Sequence, residues 1–177
     1  MRQKVDRQLL ERFLHALAAD ADQHVDVYLT GGATAILLGW RDATIDVDLR
    51  LIPDNDRILR AIPELKERMN INVELASPAD FIPDLPGWKT RSQFIMQDRE
   101  VAFYHYDFYA QALSKIERFH QLDVLDVKEM LARKLIEPDR LRELFEAIVP
   151  VLYRFPAISP EGFRRNLNSI LSECSSC

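Results

Sequence analysis

Two aspartates, Asp46 and Asp48, stand two residues apart in the run Ile45-Asp46-Val47-Asp48-Leu49-Arg50-Leu51. Apolar and polar residues alternate through it, the pattern of a strand with one buried face. Side chains two apart on a strand project from the same face, so both carboxylates point the same way. Held side by side they repel, and a cation or a proton between them relieves the repulsion. Upstream, Gly31-Gly32 separates the apolar run Val25–Leu29 from a short helical stretch, 33–38. A tight Thr30-Gly31-Gly32 turn there delivers the chain to a helix N-terminus, whose free N–H groups and dipole favour an anion. Glycines let those N–H groups approach phosphate oxygens without obstruction. A cation seat and a phosphate seat on linked elements suit chemistry on a nucleoside triphosphate.

A third carboxylate is within reach of this pair. Ile71 to Leu75 reads as a strand with Asn72 and Glu74 on its polar face and Ile71, Val73 and Leu75 on the other. If it pairs beside the Asp46–Asp48 strand, Glu74 joins the cluster; otherwise it is a solvent-facing acid on a half-exposed strand. His105 has no second His or Cys at ligand spacing and reads as a packed or hydrogen-bonded residue.

The elements that must position these groups follow from periodicity and punctuation. Leu9, Leu10, Phe13, Leu14 and Leu17 form the stripe of a helix over Asp6–Ala19, with Asp6 as N-cap. Pro53-Asp54 opens another helix with Asp54 as its cap, and Pro63 predicts a kink or break near Ile62. The stretch 76–91 holds Pro78, Pro83, Pro86 and Gly87 and reads as a long loop pinned by Phe81 and Trp88. Ser92–Gln97 and Glu100–Tyr106 read as two strands joined by a turn at Asp98-Arg99. From Phe108 the pattern becomes helical, with starts near Phe108, Asp123 and Pro138, an end or bend near Pro150, and a Ser159-Pro160 start signal. The fold class is α+β: a mixed β-sheet with flanking helices as the core, 1–107, then a small C-terminal helical bundle, 108–177, packed on it.

The 177 residues carry 47% hydrophobic and 29% charged side chains, as a globular protein of about one domain does. No apolar run approaches the roughly 20 residues of a membrane helix, and the first residues lack a signal-peptide core, so a cytoplasmic location is expected. A net charge of −5 argues against broad electrostatic gripping of duplex nucleic acid. It leaves RNA docking through local groups such as Lys89 and Arg91, or Lys128, Arg133 and Lys134, beside the plainer reading of solvated surface. Cys174 and Cys177 form a lone terminal CxxC, too little for a structural zinc, and read as free thiols on a mobile tail.

Gly31-Gly32, thirteen residues, then Asp46-Val47-Asp48 resembles the signature of the nucleotidyltransferase superfamily, a Gly-Gly or Gly-Ser pair ahead of a hydrophobic-flanked Asp-x-Asp. The run INVELASPADFIP, the His105-Tyr106-Asp107 before a helix, and Lys115 followed by Asp123-x-x-Asp126 are similar to a small bacterial branch related to the AbiEii-type nucleotidyltransferase toxins of toxin–antitoxin systems. Leu122 stands where those toxins carry Arg. The resemblance implies a nucleotidyltransferase fold and transfer of a nucleoside monophosphate, with pyrophosphate leaving, to an acceptor hydroxyl on RNA (tRNA among the candidates), a protein or a small molecule. It implies one or two Mg²⁺ on Asp46 and Asp48, with Glu74 completing the metal site or taking the acceptor's proton. Thr30 or Thr34 would supply the hydroxyl absent at Gly32, Lys115 would meet the β- and γ-phosphates, and Asp123 and Asp126 would position the nucleotide or Lys115. A helix cap accounts equally well for Asp123. A cognate antitoxin is the implied partner. The alternative is a catalytically inactive relative that binds nucleotide or a partner protein.

Overall fold

The structure, a computed structural model, describes residues 1–174, the side chain of Cys174 excepted. The thiols expected of Cys174 and Cys177 lie outside the described residues. The fold is α+β, a mixed five-stranded sheet with flanking helices followed by helical chain. Residues group into two compact units, 1–77 with 92–106, and 78–91 with 107–177.

The first unit contains β1 (Val5–Asp6), α1 (Arg7–Ala19), β2 (Val25–Thr30), α2 (Gly31–Leu38), β3 (Ala43–Thr44), β4 (Asp46–Ile52), α3 (Asp56–Met69), β5 (Asn72–Leu75), β6 (Gln93–Asp98) and β7 (Val101–His105). Five strands lie in the order β5-β4-β2-β7-β6, while β1 and β3 form a separate antiparallel pair. Strand β4 runs antiparallel to β2 and parallel to β5. Val25, Val27 and Leu29 of β2, with Val47, Leu49 and Leu51 of β4, turn into the apolar core. The alternation that buries them leaves Asp46, Asp48 and Arg50 together on the opposite face.

Helix α1 buries its whole predicted stripe, and the Asp6 carboxylate accepts from Leu9 N at 2.8 Å. On α3 two expectations are corrected. Its N-cap is Asn55, not Asp54: Asn55 Oδ1 accepts from Ile58 N at 3.0 Å, and its Nδ2 donates to Asp22 at 3.0 Å. Of the kink or break expected at Pro63, the break is absent, and the helix runs on through it. Pro63 lies on the exposed side, and burial of Ile58, Ile62 and Leu65 outweighs the one backbone bond that proline cannot donate. Leu75 departs from its expected burial and is 56% exposed, because β5 is a four-residue edge strand that ends there.

In the second unit the stretch expected as a loop carries a 3₁₀ turn, Pro78–Asp80, and a one-turn helix α4 (Trp88–Arg91). Trp88 is buried as expected, but Phe81 is 39% exposed, with the Arg118 guanidinium 5.2 Å from its ring centroid. Helices α5 (Phe108–Arg118), α6 (Gln121–Ala132), α7 (Pro138–Ile148) and α8 (Pro160–Cys174) follow, with a 3₁₀ turn Val149–Arg154 where Pro150 stops α7. Leu113, Ile116, Val127, Met130, Phe145 and Phe163 are buried, and Phe145 meets Phe163 edge-on at 4.8 Å. Ser159 caps α8, its hydroxyl accepting from Gly162 N at 3.1 Å. No helix among the described residues is long and apolar enough to cross a membrane.

Candidate functional site

Strand register decides which polar groups meet. In the first unit Thr30 on β2 lies opposite Asp48 on β4, and Asp48 lies opposite Glu74 on β5. One row across three strands therefore reads Thr30, Asp48, Glu74. The next row pairs Asp46 with Asn72. Four side chains, three of them acidic, thus share a small rectangle on the face opposite the core. Asn72 holds two of its corners: Nδ2 donates to Asp46 Oδ1 at 2.7 Å and to Glu74 Oε1 at 3.0 Å. One amide so offsets the repulsion between two carboxylates. Asp46, Asp48 and Asn72 are half-buried and Glu74 is exposed, so all stay within reach of solutes.

The glycine pair adjoins this rectangle at the start of α2, which begins at Gly31, with Thr30 as an N-cap that makes no side-chain capping bond. Gly31 has φ +60°, and a Cβ there would stand 3.0 Å from Asp48 Oδ2. The positive φ calls for glycine through backbone strain, and a side chain there would in addition press on the end of Asp48. Gly32 needs its bareness for another reason. Thr44 Cβ lies 2.5 Å from the point a Gly32 Cβ would occupy, and Thr44 Oγ1 lies closer still. Thr44 is fixed by the pairing of β3 with β1, opposite Val5, and its hydroxyl donates to Asp46 O at 3.1 Å.

Thr34, one of two threonines expected to offer a hydroxyl, is fully buried. Its Oγ1 donates to Leu29 O at 3.3 Å and lies 3.2 Å from His105 Nδ1. Burial holds the His105 imidazole down to about 4, so it is neutral at pH 7. Packed and hydrogen-bonded, as expected, this pair braces the first turn of α2 against β7.

In the second unit Lys115, Asp123 and Asp126 form a set of their own. Lys115 Nζ reaches Asp126 Oδ2 at 2.7 Å and Asp123 Oδ1 at 3.3 Å, and Arg118 Nη2 joins Asp123 at 2.9 Å. Lys115 and Asp123 are each 6% exposed and Asp126 2%. Asp123 does not cap α6; His120 holds the N-cap position, and Asp123 lies in the first turn where two cations claim it. A second ion pair joins half-buried Arg91, through Nη2, to buried Asp107 Oδ2 at 2.6 Å, with Asp107 also capping α5 through Tyr109 N. Burial pushes the Asp107 carboxyl up further than Arg91 pulls it down. Several basic groups considered for RNA docking are taken by acids: Arg91 by Asp107, Lys128 by Glu173 and Arg133 by Glu129.

Asn72, Thr44 and the Arg91–Asp107 pair went unread in the sequence. The strand pattern put Asn72 beside Glu74; the other two depend on contacts across loops that no local pattern encodes.

Among the described residues no three His, Cys, Asp or Glu side chains are arranged to hold a metal ion by themselves. Mg²⁺ does not require such a cage: it takes one or two carboxylates and completes its shell with water and substrate phosphate. The all-oxygen pair Asp46 and Asp48, lying against a glycine corner, fits that habit and is the wrong donor set for soft metals.

Residues 8–157 match a family model described as "Nucleotidyltransferase of unknown function (DUF6036)". No curated protein and no solved structure matches the chain.

Proposed function

The chain belongs to this DUF6036 family of nucleotidyltransferases of unknown function, and we propose that it transfers a nucleoside monophosphate from a nucleoside triphosphate to an acceptor hydroxyl in a Mg²⁺-dependent reaction. The observation that carries this reading is the meeting of Asp48 with the Gly31 corner, which sets a carboxylate and a helix N-terminus side by side. Asp48 would hold Mg²⁺ where the helix N-terminus favours an anion, a combination that would suit a substrate phosphate accompanied by a cation.

In this reaction the acceptor oxygen attacks the α-phosphorus, the bond from that phosphorus to the bridging oxygen breaks, and pyrophosphate leaves with the electron pair. Asp46 and Asp48 would hold Mg²⁺, whose charge would offset the negative charge developing on the phosphoryl oxygens. The N–H groups opening α2 orient the triphosphate tail. Glu74, the exposed acid of the row, accepts the proton from the acceptor hydroxyl. We further propose that the chain is the toxin of a toxin–antitoxin pair, the role that the likeness to AbiEii-type toxins implies, with RNA, a protein or a small molecule as the acceptor.

The test is transfer of label from α-³²P nucleoside triphosphates to total RNA, to protein and to small acceptors, with and without Mg²⁺. Labelling that needs Mg²⁺ and disappears in Asp46→Ala Asp48→Ala supports the reading; equal labelling by that variant removes it. A second reading, nucleotide binding without turnover, draws on Asn72, whose amide engages two of the three acids. Tight binding with no transfer across all three acceptor classes would favour it.

A further inference from the structure

Resting on the phosphate seat proposed above, we propose that the Thr44 hydroxyl is a triphosphate-contacting group, supplied from β3 to the bare second position of α2. A side chain on the second residue of α2 would rise beside the N–H groups that open the helix. Gly32 provides none, and that volume is filled by Thr44, whose Cβ is 2.5 Å from the missing Cβ and whose Oγ1 is nearer. The corner thus has a hydroxyl beside the point where a side chain on Gly32 would begin, brought from a different strand.

The other threonines of the corner differ. The Thr34 hydroxyl is fully buried and committed to Leu29 O and His105. Thr30 is 8% exposed and lies in the row with Asp48. Thr44 is half-buried and borders both Gly32 and Asp46. Its single proton now goes to Asp46 O at 3.1 Å. A hydroxyl proton rotates freely, so it can turn to a phosphate oxygen without moving the side chain. Gly32 and Thr44 are then two halves of one device: the glycine is required because the threonine occupies its side-chain space.

The experiment measures binding of inorganic tripolyphosphate with Mg²⁺ by calorimetry, which is independent of base preference and acceptor, alongside urea unfolding. Thr44→Val keeps the shape and removes the hydroxyl; affinity should fall roughly tenfold or more, the size of a hydrogen bond to a charged group. Thr44→Ser should stay within about twofold of wild type, since it keeps that bond. Gly32→Ser alone should be less stable than wild type, and Gly32→Ser Thr44→Gly should regain both stability and affinity. Unchanged affinity in Thr44→Val overturns the assignment, as does a loss seen in Thr30→Val but not in Thr44→Val, or a Gly32→Ser variant as stable as wild type. Wild-type protein that binds no tripolyphosphate overturns the phosphate seat itself, and this assignment with it.

Discussion

Asp48 and Gly31 are matched to each other: the carboxylate oxygen of one stands 3.0 Å from the only place a side chain on the other could begin. That close approach sets the acid of β4 beside the first residue of α2. Replacing Gly31 by Ala should therefore cost more than its backbone conformation alone. Gly39 offers the control, since it also has positive φ but nothing lies within 4 Å of its absent Cβ. Gly39→Ala should lose about 1–2 kcal/mol by urea unfolding, the cost of a left-handed residue with a Cβ. Gly31→Ala should lose more and also weaken Mg²⁺–triphosphate binding; equal losses would mean that the Asp48 contact carries no weight.

Asp46→Ala Asp48→Ala should abolish metal-dependent label transfer, by on the order of 10²-fold or more, the scale seen when charge stabilisation in a site is removed. Neither side chain belongs to the apolar core, so circular dichroism and the urea midpoint should change little or rise as repulsion is removed. EDTA should reproduce the loss in wild type, and Mg²⁺ in excess should reverse it.

Stability should depend on pH through His105. Its folded value, held at about 4 by burial, lies below the ordinary 6.5. Between those values the unfolded chain binds a proton that the folded chain refuses, so stability falls as pH drops through that window. The full effect is on the order of 3 kcal/mol. Asp107, raised by burial, acts in the opposite sense: what it contributes is present below the ordinary carboxylate range and lost as pH rises through its folded value. Urea midpoints at pH 4.5–8 check this: His105→Asn should flatten the slope, while Asp107→Asn, which removes the opposing group, should steepen it at the acid end.

Lys115→Met should destabilise the second unit by about 3–5 kcal/mol, the cost of breaking a buried pair and leaving its carboxylate uncompensated. Adding Asp126→Asn to that variant should recover part of the loss, because the stranded charge is then gone. Chemical denaturation of the single and double variants reads this; no recovery would show that Lys115 packs rather than pairs.

What could be read from the chain alone was whatever lies within one element. The α1 stripe, the Asp6 cap, the Ser159 cap and the facing of Asp46 with Asp48 are set by neighbours a few residues away. The α3 cap slipped by one residue because Asp54 and Asn55 can both cap, and the part-buried Asn55–Asp22 bond that accompanies the Asn55 cap is not visible in the sequence. Pro63 misled because packing of the opposite face is invisible to a rule about one backbone bond. Asn72 could be placed on the polar face but not paired, since its bond to Asp46 needs the parallel register of β4 with β5. The role of Gly32 was unreadable for the same reason, as its partner in space is Thr44 on β3.

The β1–β3 pairing gives the amino terminus an unexpected reach. Val5 holds Thr44, and Arg2 and Gln3 fasten the same segment to the end of α3 through Lys66 O and Asn70 O. Trimming the first six residues would take away no acid and no glycine of the site. It would still slacken the strand that presses against Gly32, so an innocuous-looking truncation or a bulky amino-terminal fusion would be felt at the mouth of α2.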